Sequence, residues 1–324
     1  MPLPLSQRAE DTPQIVDLRT VAPAALEDLW RHEAQWWRTQ LCWDIADGLA
    51  ALRRVMARGG VAGKAMQVGT QIVGYGYAMR IGDLGMLSGP VFAPAWDRPD
   101  IGTGLLHALL DMLRQPGVRR IESPGIALAS AWLVPAYEQV GFWTTWRTCL
   151  RLELAGAPQA RQERTAATLV PWQGEQHAAV AAIMHAAYQT TVDAEINRLY
   201  RTPTGCHHIL EALLSQGSCG PLVPDASALA YVDGQAVGFV VATASAPRQG
   251  HLAHVAVLPA YQGQGIGRQL VEGCRAQLQA QHFDTLSLIV SRANAAALAL
   301  YEALGLRDIL TFPVFVWEDS RTIY

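Results

Sequence analysis

The sequence predicts a mixed α/β fold that occurs twice in the chain, as two consecutive copies of one unit. The first observation is length, since 324 residues suit two domains of about 160 residues each. The second is that strand-like and helix-like segments alternate in the second half, which is typical of α/β folds. The third is that the same order recurs in the first half. Three closely spaced strands before the first long helix predict an antiparallel stretch, so each sheet should be mixed.

The strands of the second half are predicted from alternating apolar and polar residues. Residues 227–232 and 235–244 flank the turn Asp233–Gly234, and a third strand covers about 250–258. A fourth strand covers 285–290. These four segments predict the sheet of the second copy.

The helices of the second half follow from apolar residues at helical spacing. One helix begins near Gly265, and its apolar positions are Ile266, Leu270, Val271, Cys274 and Leu278. A shorter helix covers about 294–304 and is ended by Gly305. The segments that precede each set of strands, 20–60 and 174–217, are also predicted to be helical.

The repeat is visible residue by residue. At an offset of 165 residues, the apolar positions of the long helix fall on Ile101, Leu105, Leu106, Leu109 and Leu113. At an offset of 164, Tyr301 falls on Tyr137 and Gly305 on Gly141. A period this long indicates duplicated domains. The small and polar segment AGAPQARQER predicts a junction near 155–165, which gives domains 1–156 and 157–324.

Composition excludes several classes of protein. Charged residues make up 16% of the chain, the net charge is −3, and like charges form no block. This argues against a nucleic-acid partner and against a membrane surface. No segment approaches the about 18 apolar residues of a membrane span, and the N-terminus lacks a signal-peptide pattern. The five scattered cysteines predict reduced thiols and a cytoplasmic location.

The segment from Val257 to Arg268, VLPAYQGQGIGR, lies between a predicted strand and a predicted helix. Small residues let the backbone approach a ligand, and free N–H groups at a helix start favour phosphate oxygens. The positive charge of Arg268 could contribute. Taken alone, the segment is equally compatible with a glycine-rich turn that binds nothing.

This motif, V-x-P-x-Y-Q-x-x-G-x-G followed by an amphipathic helix, resembles the acetyl-CoA motif of the GNAT superfamily of N-acetyltransferases. The later segment from Asn294 through Tyr301 to Gly305 resembles the second motif of that family at the expected distance. The resemblance implies a mixed sheet that splays open around the cofactor, and acetyl-CoA as co-substrate. It implies that acetyl-CoA contacts Val255, Ala256, Val257, Gln262, Gly263, Gln264, Gly265, Ile266, Gly267, Arg268, Asn294 and Tyr301. Of these, Val255 is expected to donate its backbone N–H to the acyl carbonyl.

The first copy departs from the motif. Asp97 stands in place of the glutamine, Asp100 replaces the first glycine, and Pro99 has no N–H to donate. Two carboxylates at this position would repel a pyrophosphate, so the first domain is expected to bind no cofactor and to serve as a structural or substrate-shaping partner. Eight of the ten tryptophans, including Trp36, Trp37 and Trp43, lie in it. Packing in the core and between the copies is the favoured explanation, and a ligand cage is the alternative.

Acyl transfer to an amine requires removal of a proton, a donor for the oxyanion, and a proton for the departing thiolate. The resemblance places a base at His251, where relatives commonly carry Glu, and His254 is the second candidate. Either could instead be a half-buried strand histidine. Tyr301 is the expected acid toward the CoA sulfur, and ordinary helix packing is its alternative. Asn294 could equally be only an N-cap.

The acceptor is expected to bind between residues 188 and 208, on Tyr188, Asp193, Glu195 and Tyr200. The adjacent His207 and His208 lack a partner at metal-ligand spacing, so no metal is predicted. The predicted function is transfer of an acetyl group from acetyl-CoA to a primary amine of a small molecule, by direct attack through a tetrahedral intermediate. The tandem architecture resembles that of mycothiol synthases. The alternatives are a protein N-acetyltransferase and a non-catalytic acyl-CoA sensor. The sequence indicates no oligomeric state.

Overall fold

The computed structural model describes residues 12–124, 130–156, 165–173, 176–215 and 219–319. These residues form two compact units. Unit 1 is built from described residues within Met1–Thr39, Ile45–Thr145 and Phe312–Tyr324, and unit 2 from those within Gln40–Asp44 and Trp146–Thr311. The junction predicted near 155–165 includes residues 157–164, which lie outside the described residues. The division into functional domains 1–156 and 157–324 stays a prediction.

Unit 1 contains strands in the order β1-β2-β3-β4-β5-β12. Its strands are β1 (Gln14–Asp17), β2 (Gly63–Val68), β3 (Gln71–Ile81), β4 (Leu84–Phe92), β5 (Arg120–Ser123) and the end of β12 (Arg307–Glu318). Its α-helices are α1 (Glu27–Leu41, up to Thr39), α2 (Ala46–Met56), α3 (Pro99–Leu113) and α4 (Leu133–Gln139). Residues 315–318 of β12 pair antiparallel with β5.

Unit 2 contains strands in the order β6-β11-β10-β9-β8-β7. They are β6 (Trp143–Glu153, from Trp146 onward), β7 (Thr168–Pro171), β8 (Ala228–Val232), β9 (Gln235–Ala246), β10 (Gln249–Val257) and β11 (Thr285–Ser291). Its α-helices are α5 (His177–Tyr188), α6 (Val192–Ile196), α7 (Pro203–Ser215), α8 (Ile266–Ala280) and α9 (Ala295–Ala303). Residues 147–153 of β6 pair antiparallel with β11.

Each sheet mixes antiparallel pairs with one parallel pair, and the parallel pair positions the site. In unit 2, β10 and β11 pair from Gln249↔Thr285 to Leu252↔Leu288. Beyond Leu252 the two strands continue without pairing to each other, and β10 shifts register against β9 between Leu252 and His254. The sheet therefore opens over the last residues of β10. In unit 1, the corresponding pair β4–β5 runs from Leu84↔Arg120 to Met86↔Glu122.

The long helix of each unit covers the sheet with the face that the sequence predicts. Ile266, Leu270, Val271, Cys274 and Leu278 of α8 are buried in unit 2, and Ile101, Leu105, Leu106, Leu109 and Leu113 of α3 are buried in unit 1. The burial of such a stripe is the main stabilising contribution of an amphipathic helix. These helices and the mixed sheets confirm the predicted fold class.

Two further observations bear on the sequence-based expectations. Among the described helices, none combines the length and apolar character needed to cross a membrane. The five cysteines are all free thiols.

Candidate active site

A cavity of about 370 Å³ lies in unit 2 where β10 and β11 diverge. Four elements supply most of its wall: the end of β10, the loop before α8, the start of α9, and the end of α5. The lining residues include Arg147, Tyr188, Asp193, Tyr200, His254, Val255, Ala256, Val257, Gln262, Gly263, Gly267, Asn294, Ala296, Ala297 and Tyr301. The cavity therefore joins the predicted phosphate loop to the predicted acceptor side.

The loop before α8 is shaped by two glycines with positive φ, Gly263 at 74° and Gly265 at 81°. L-residues with side chains rarely adopt this conformation. Gln262 ties the loop to the strand, because its side-chain amide donates to the carbonyl of Val257 at 3.0 Å. Gly265 is the N-cap of α8 and offers no side-chain oxygen to the first turn. The N–H groups of that turn are consequently available to an anion.

The predicted cofactor residues divide into two groups. Eight of the predicted residues line the cavity: Val255, Ala256, Val257, Gln262, Gly263, Gly267, Asn294 and Tyr301. The other four, Gln264, Gly265, Ile266 and Arg268, are not among the lining residues. Ile266 is 1% exposed and packs in the core, so only its backbone could face a ligand. Asn294 lines the cavity and is also the N-cap of α9, since its side chain accepts from the N–H of Ala297 at 3.1 Å.

Tyr301 projects from α9 into the wall of the cavity and is 6% exposed. Burial raises the pKa of its phenol, and the negative charge of Asp193 raises it further. Both effects disfavour the phenolate. Tyr301 is therefore protonated at neutral pH and can donate a hydrogen bond inside the cavity.

Two tyrosines form the opposite side of the cavity. Tyr188 donates its hydroxyl to the carbonyl of Val255 at 2.9 Å, which anchors the end of α5 to the open part of β10. Its ring stacks on Tyr200, with centroids 4.8 Å apart. Tyr188 and Tyr200 lie near the predicted position of the acceptor. Glu195 is exposed and is not a lining residue.

Asp193 carries negative charge into the wall of the cavity. It is 8% exposed, and its Oδ1 accepts from the hydroxyl of Ser291 at 2.7 Å. The same oxygen lies 3.7 Å from Nη2 of Arg147. A carboxylate held in this way can attract a protonated amine.

Arg147 is a cavity residue that sequence reasoning missed. It belongs to β6, the last strand of the first sequence copy, yet it lies in unit 2 beside β11. No motif marks it. Only the pairing of Arg147 with Ser291 across β6 and β11 could have revealed it, and local periodicity does not predict that pairing.

The two candidate bases occupy different surroundings. His254 lines the cavity. Its ring makes T-shaped contacts with the rings of Tyr188 and Tyr200, at centroid distances of 6.2 and 6.1 Å. His251 is 3% exposed and is not among the lining residues. Its Nδ1 lies 3.0 Å from the hydroxyl of Ser287, and its ring meets the ring of Trp43 at 4.7 Å.

Both histidines are held neutral. Burial lowers the pKa of His251 to about 3, and the charges of His254 and Arg147 add to this effect. Burial, followed by the positive charge of Arg147, lowers the pKa of His254 to about 4. A neutral imidazole can accept a proton, but only His254 is in a position to do so from within the cavity.

His207 and His208 are exposed on α7. Within the described ranges, no three His, Cys, Asp or Glu side chains come together in a group that could hold a metal ion.

The corresponding region of unit 1 is filled by side chains. The indole of Trp132 covers Gly102, where an added Cβ would lie 2.2 Å from the ring. At the matching Gly267 of unit 2 the nearest atom to an added Cβ is 3.8 Å away. Asp97 accepts hydrogen bonds from the indole N–H of Trp132 at 2.8 Å and from Ser130. The space beside the helix start is thus occupied in unit 1 and open in unit 2.

Comparisons with known proteins agree with this geometry. Residues 186–306 match the acetyltransferase (GNAT) family. The ribosomal protein bS18-alanine N-acetyltransferase of Escherichia coli (strain K12) is 47% identical over 57 residues, which cover 18% of this chain and 38% of that protein. The chain thus spans well under half the length of this curated relative.

Two solved structures resemble nearly the whole chain. A GCN5-related N-acetyltransferase from Sphaerobacter thermophilus has a TM-score of 0.68 and 16% identity, covering 94% of this chain and 95% of its own. A tandem GNAT protein from the clavulanic acid biosynthesis pathway has a TM-score of 0.67 and 14% identity, covering 95% and 98%. At these identities the likeness establishes the fold. The chain therefore has a GNAT-like fold over nearly its whole length, and its residues 186–306 match the GNAT acetyltransferase family.

Proposed function

We propose that the protein is an acetyl-CoA-dependent N-acetyltransferase that acts on a primary amine of a small molecule, with the chemistry in unit 2. One observation carries the proposal. The cavity between the diverging strands β10 and β11 brings the glycine loop, Tyr301, His254 and Asp193 to a single space. This arrangement offers an anion site, a proton donor, a neutral proton acceptor and a negative charge.

In this proposal the glycine loop holds the pyrophosphate of acetyl-CoA. The backbone N–H groups of Gln262, Gly263, Gly265, Gly267 and Arg268 are the donors, and the positive end of α8 favours the negative charge. Val255 donates its N–H to the acetyl carbonyl. Ala256, Val257 and Asn294 line the same cavity.

The acceptor amine enters on the side of Tyr188, Asp193 and Tyr200. Asp193 attracts the ammonium form, and the nitrogen must lose a proton before or during attack. His254 supports the role of proton acceptor better than His251, because it lines the cavity and its lowered pKa keeps the imidazole neutral. The amine nitrogen then attacks the acetyl carbon and a tetrahedral intermediate forms.

The intermediate collapses when the C–S bond breaks and the electron pair leaves with sulfur. Tyr301 is the proposed donor of the proton that this thiolate takes up. Its raised pKa keeps the phenol protonated until that step. General acid catalysis of this kind contributes about 10²–10⁴-fold to a rate.

A protein N-terminus is the second candidate acceptor. The observation that favours it is the relative from Escherichia coli, whose name specifies an alanine of ribosomal protein bS18. A peptide with N-terminal alanine would present the same primary amine as a small molecule, but it would need room for a chain beyond the tyrosines.

The test combines binding with turnover on the full chain. Calorimetry with acetyl-CoA is expected to give one site per chain, and CoA release is expected with small primary amines. Peptides with N-terminal alanine are assayed in parallel, and preference for them would replace the small-molecule acceptor with a protein. Tight acetyl-CoA binding without CoA release from any amine or peptide would indicate a sensor. Two tight sites per chain would contradict the assignment of the chemistry to unit 2 alone.

A further inference from the structure

Unit 1 contains a cavity of its own, of about 270 Å³, on the inner side of α1. Its walls include Glu33 and Trp37 of α1 and Tyr75 and Tyr77 of β3. Glu33 and Trp37 are four residues apart, so they lie on the same face of the helix. The cavity thus combines one carboxylate with five aromatic side chains, the other two being those of Tyr137 and Phe315.

Glu33 is held in place by a hydrogen bond. The hydroxyl of Tyr75 donates to its Oε2 at 2.7 Å. This donor and the nearby indole of Trp37 favour the ionised carboxylate, although burial raises the pKa of Glu33 overall. The hydrogen bond orients the carboxylate without neutralising its charge.

Glu33 and Glu27 belong to the same helix but differ in their charged partners. Glu27, at the start of α1, forms an ion pair with Arg53. In the part of the chain that the structure describes, Glu33 has no Lys, Arg or His partner. A carboxylate that is withdrawn from solvent is normally paired with a positive charge. Aromatic rings around such a carboxylate are a favourable environment for an organic cation.

We propose that unit 1 binds a small organic ammonium ion in this cavity, with Glu33 as the counter-ion and Trp37, Tyr75 and Tyr77 as an aromatic cage. The ligand class comprises quaternary ammonium ions and protonated primary amines. A small cation of this class fits a cavity of about 270 Å³. The site is separate from the cavity of unit 2 and does not depend on acetyl transfer.

The experiment uses the full chain and two probes, choline and n-butylammonium, in titration calorimetry. A neutral isostere of choline, 3,3-dimethylbutan-1-ol, tests the charge without any change to the protein. We expect choline to bind at one site of unit 1 and the neutral isostere to bind at least about tenfold more weakly, because the ion pair is lost. Equal binding of choline and its isostere would overturn the proposal, as would no binding of either ammonium probe.

Variants locate the bound cation. Glu33→Gln keeps an oxygen for the hydroxyl of Tyr75 and removes the charge, so affinity for choline should fall at least about tenfold. Glu138→Gln is the matched control, because Glu138 is an exposed acid of α4 in the same unit, and it should bind choline like the parent. Asp193→Asn should also bind choline like the parent. Loss in Asp193→Asn with unchanged Glu33→Gln would move the cation to unit 2 and overturn the proposal.

A variant of an aromatic side chain tests the cage independently of Glu33. Trp37→Leu keeps an apolar side chain and removes the ring, and choline affinity should fall by about fivefold or more. Thermal unfolding of each variant establishes that it is folded. A folded Trp37→Leu with parental affinity would contradict the aromatic cage.

Discussion

Unit 1 and unit 2 share a strand order and a parallel pair at the same position, but they differ beside the start of the long helix. In unit 2 the first residues of α9 include Ala296 and Ala297, which line an open cavity. The matching positions in unit 1 are Trp132 and Leu133, and both are buried. Trp132 lies against Gly102 and bonds to Asp97. An indole and a carboxylate therefore fill the space that unit 2 leaves free.

The difference shows that a shared backbone does not by itself leave open space beside the helix start. Both units place a helix start behind the same strand, so the helix dipole is present in each. What separates them is the presence of small side chains near the helix start and of glycines with positive φ before it. A few substitutions on one framework are sufficient to close a site, in agreement with the general rule that function resides in the site more than in the fold.

The largest expected effect on turnover comes from substitution of Tyr301, whose counterpart in unit 1 is Tyr137. Tyr301→Phe removes one hydroxyl and little volume, so acetyl-CoA should still bind. If the hydroxyl protonates the departing thiolate, turnover should fall by about 10²–10⁴-fold. Steady-state assays of CoA release, with calorimetry of acetyl-CoA, check both parts.

Tyr137→Phe is the control for this change. The hydroxyl of Tyr137 is shared with Ser123 at 3.0 Å and donates to the carbonyl of Gly89 at 3.3 Å. Its loss should lower the free energy of unfolding by about 1 kcal/mol and leave turnover unchanged. Full activity in Tyr301→Phe would remove its role as the acid.

Strands β8 to β11 and the long helices α3 and α8 could be predicted from sequence because periodicity reports burial directly, whereas β1, β6, β7 and β12 were not predicted. The apolar stripe of α8 and the glycines before it are local signals, and both lie where the pattern placed them. Tertiary pairing is not a local signal. Arg147 reaches the cavity only because β6 pairs with β11, and Trp43 reaches His251 from a segment far away in sequence. The sequence therefore could not predict that His251 is buried while His254 lines the cavity.

The bulky side chain that fills unit 1 can be introduced at the matching position of unit 2. Ala296→Trp places an indole where Trp132 stands in unit 1, and it should compete with acetyl-CoA for the cavity. Steric exclusion together with the loss of charge-assisted hydrogen bonds should cost about 3 kcal/mol or more, which is at least about 100-fold in affinity. Calorimetry measures the change.

Ala299→Trp is the matched control, since Ala299 is exposed on the same helix and is not a residue of the cavity wall. It should bind acetyl-CoA like the parent. Equal affinity in the two variants would mean that the open space beside Gly267 is not the cofactor site.

The two histidines of β10 sharpen the comparison through pH dependence. His254 has a pKa lowered to about 4, so as the base it remains active until the pH falls to about 4, well below the histidine reference of about 6.5. A weakly basic acceptor amine keeps its own ionisation out of this range. The acidic limb of the rate profile should lie near pH 4 in the parent and in His251→Gln, and it should be absent in His254→Gln. A limb that disappears only in His251→Gln would transfer the role of the base to His251.

The smallest expected effect concerns stability, and it follows from the sign of the shift at His251. The unfolded chain takes up a proton near the reference pKa of about 6.5, whereas the buried imidazole beside Trp43 does so only near about 3. Between these values the unfolded state binds more protons, so the free energy of unfolding falls as the pH is lowered. At pH 7 the full contribution is present. Once the pH is well below 6.5, the free energy of unfolding should fall by about 1.4 kcal/mol per pH unit for each proton of this kind.

His251→Phe removes this proton and keeps an aromatic ring against Trp43, while Ser287 retains its hydrogen bond to the carbonyl of Gly250 at 3.2 Å. Urea unfolding at pH 7, 6 and 5 should therefore show a shallower loss of stability in this variant than in the parent. His208→Gln changes an exposed histidine of α7 and should preserve the parental dependence. If His251→Phe lost stability with falling pH as steeply as the parent, His251 would be titrating alike in the folded and unfolded chains, and its burial would have no effect on its protonation.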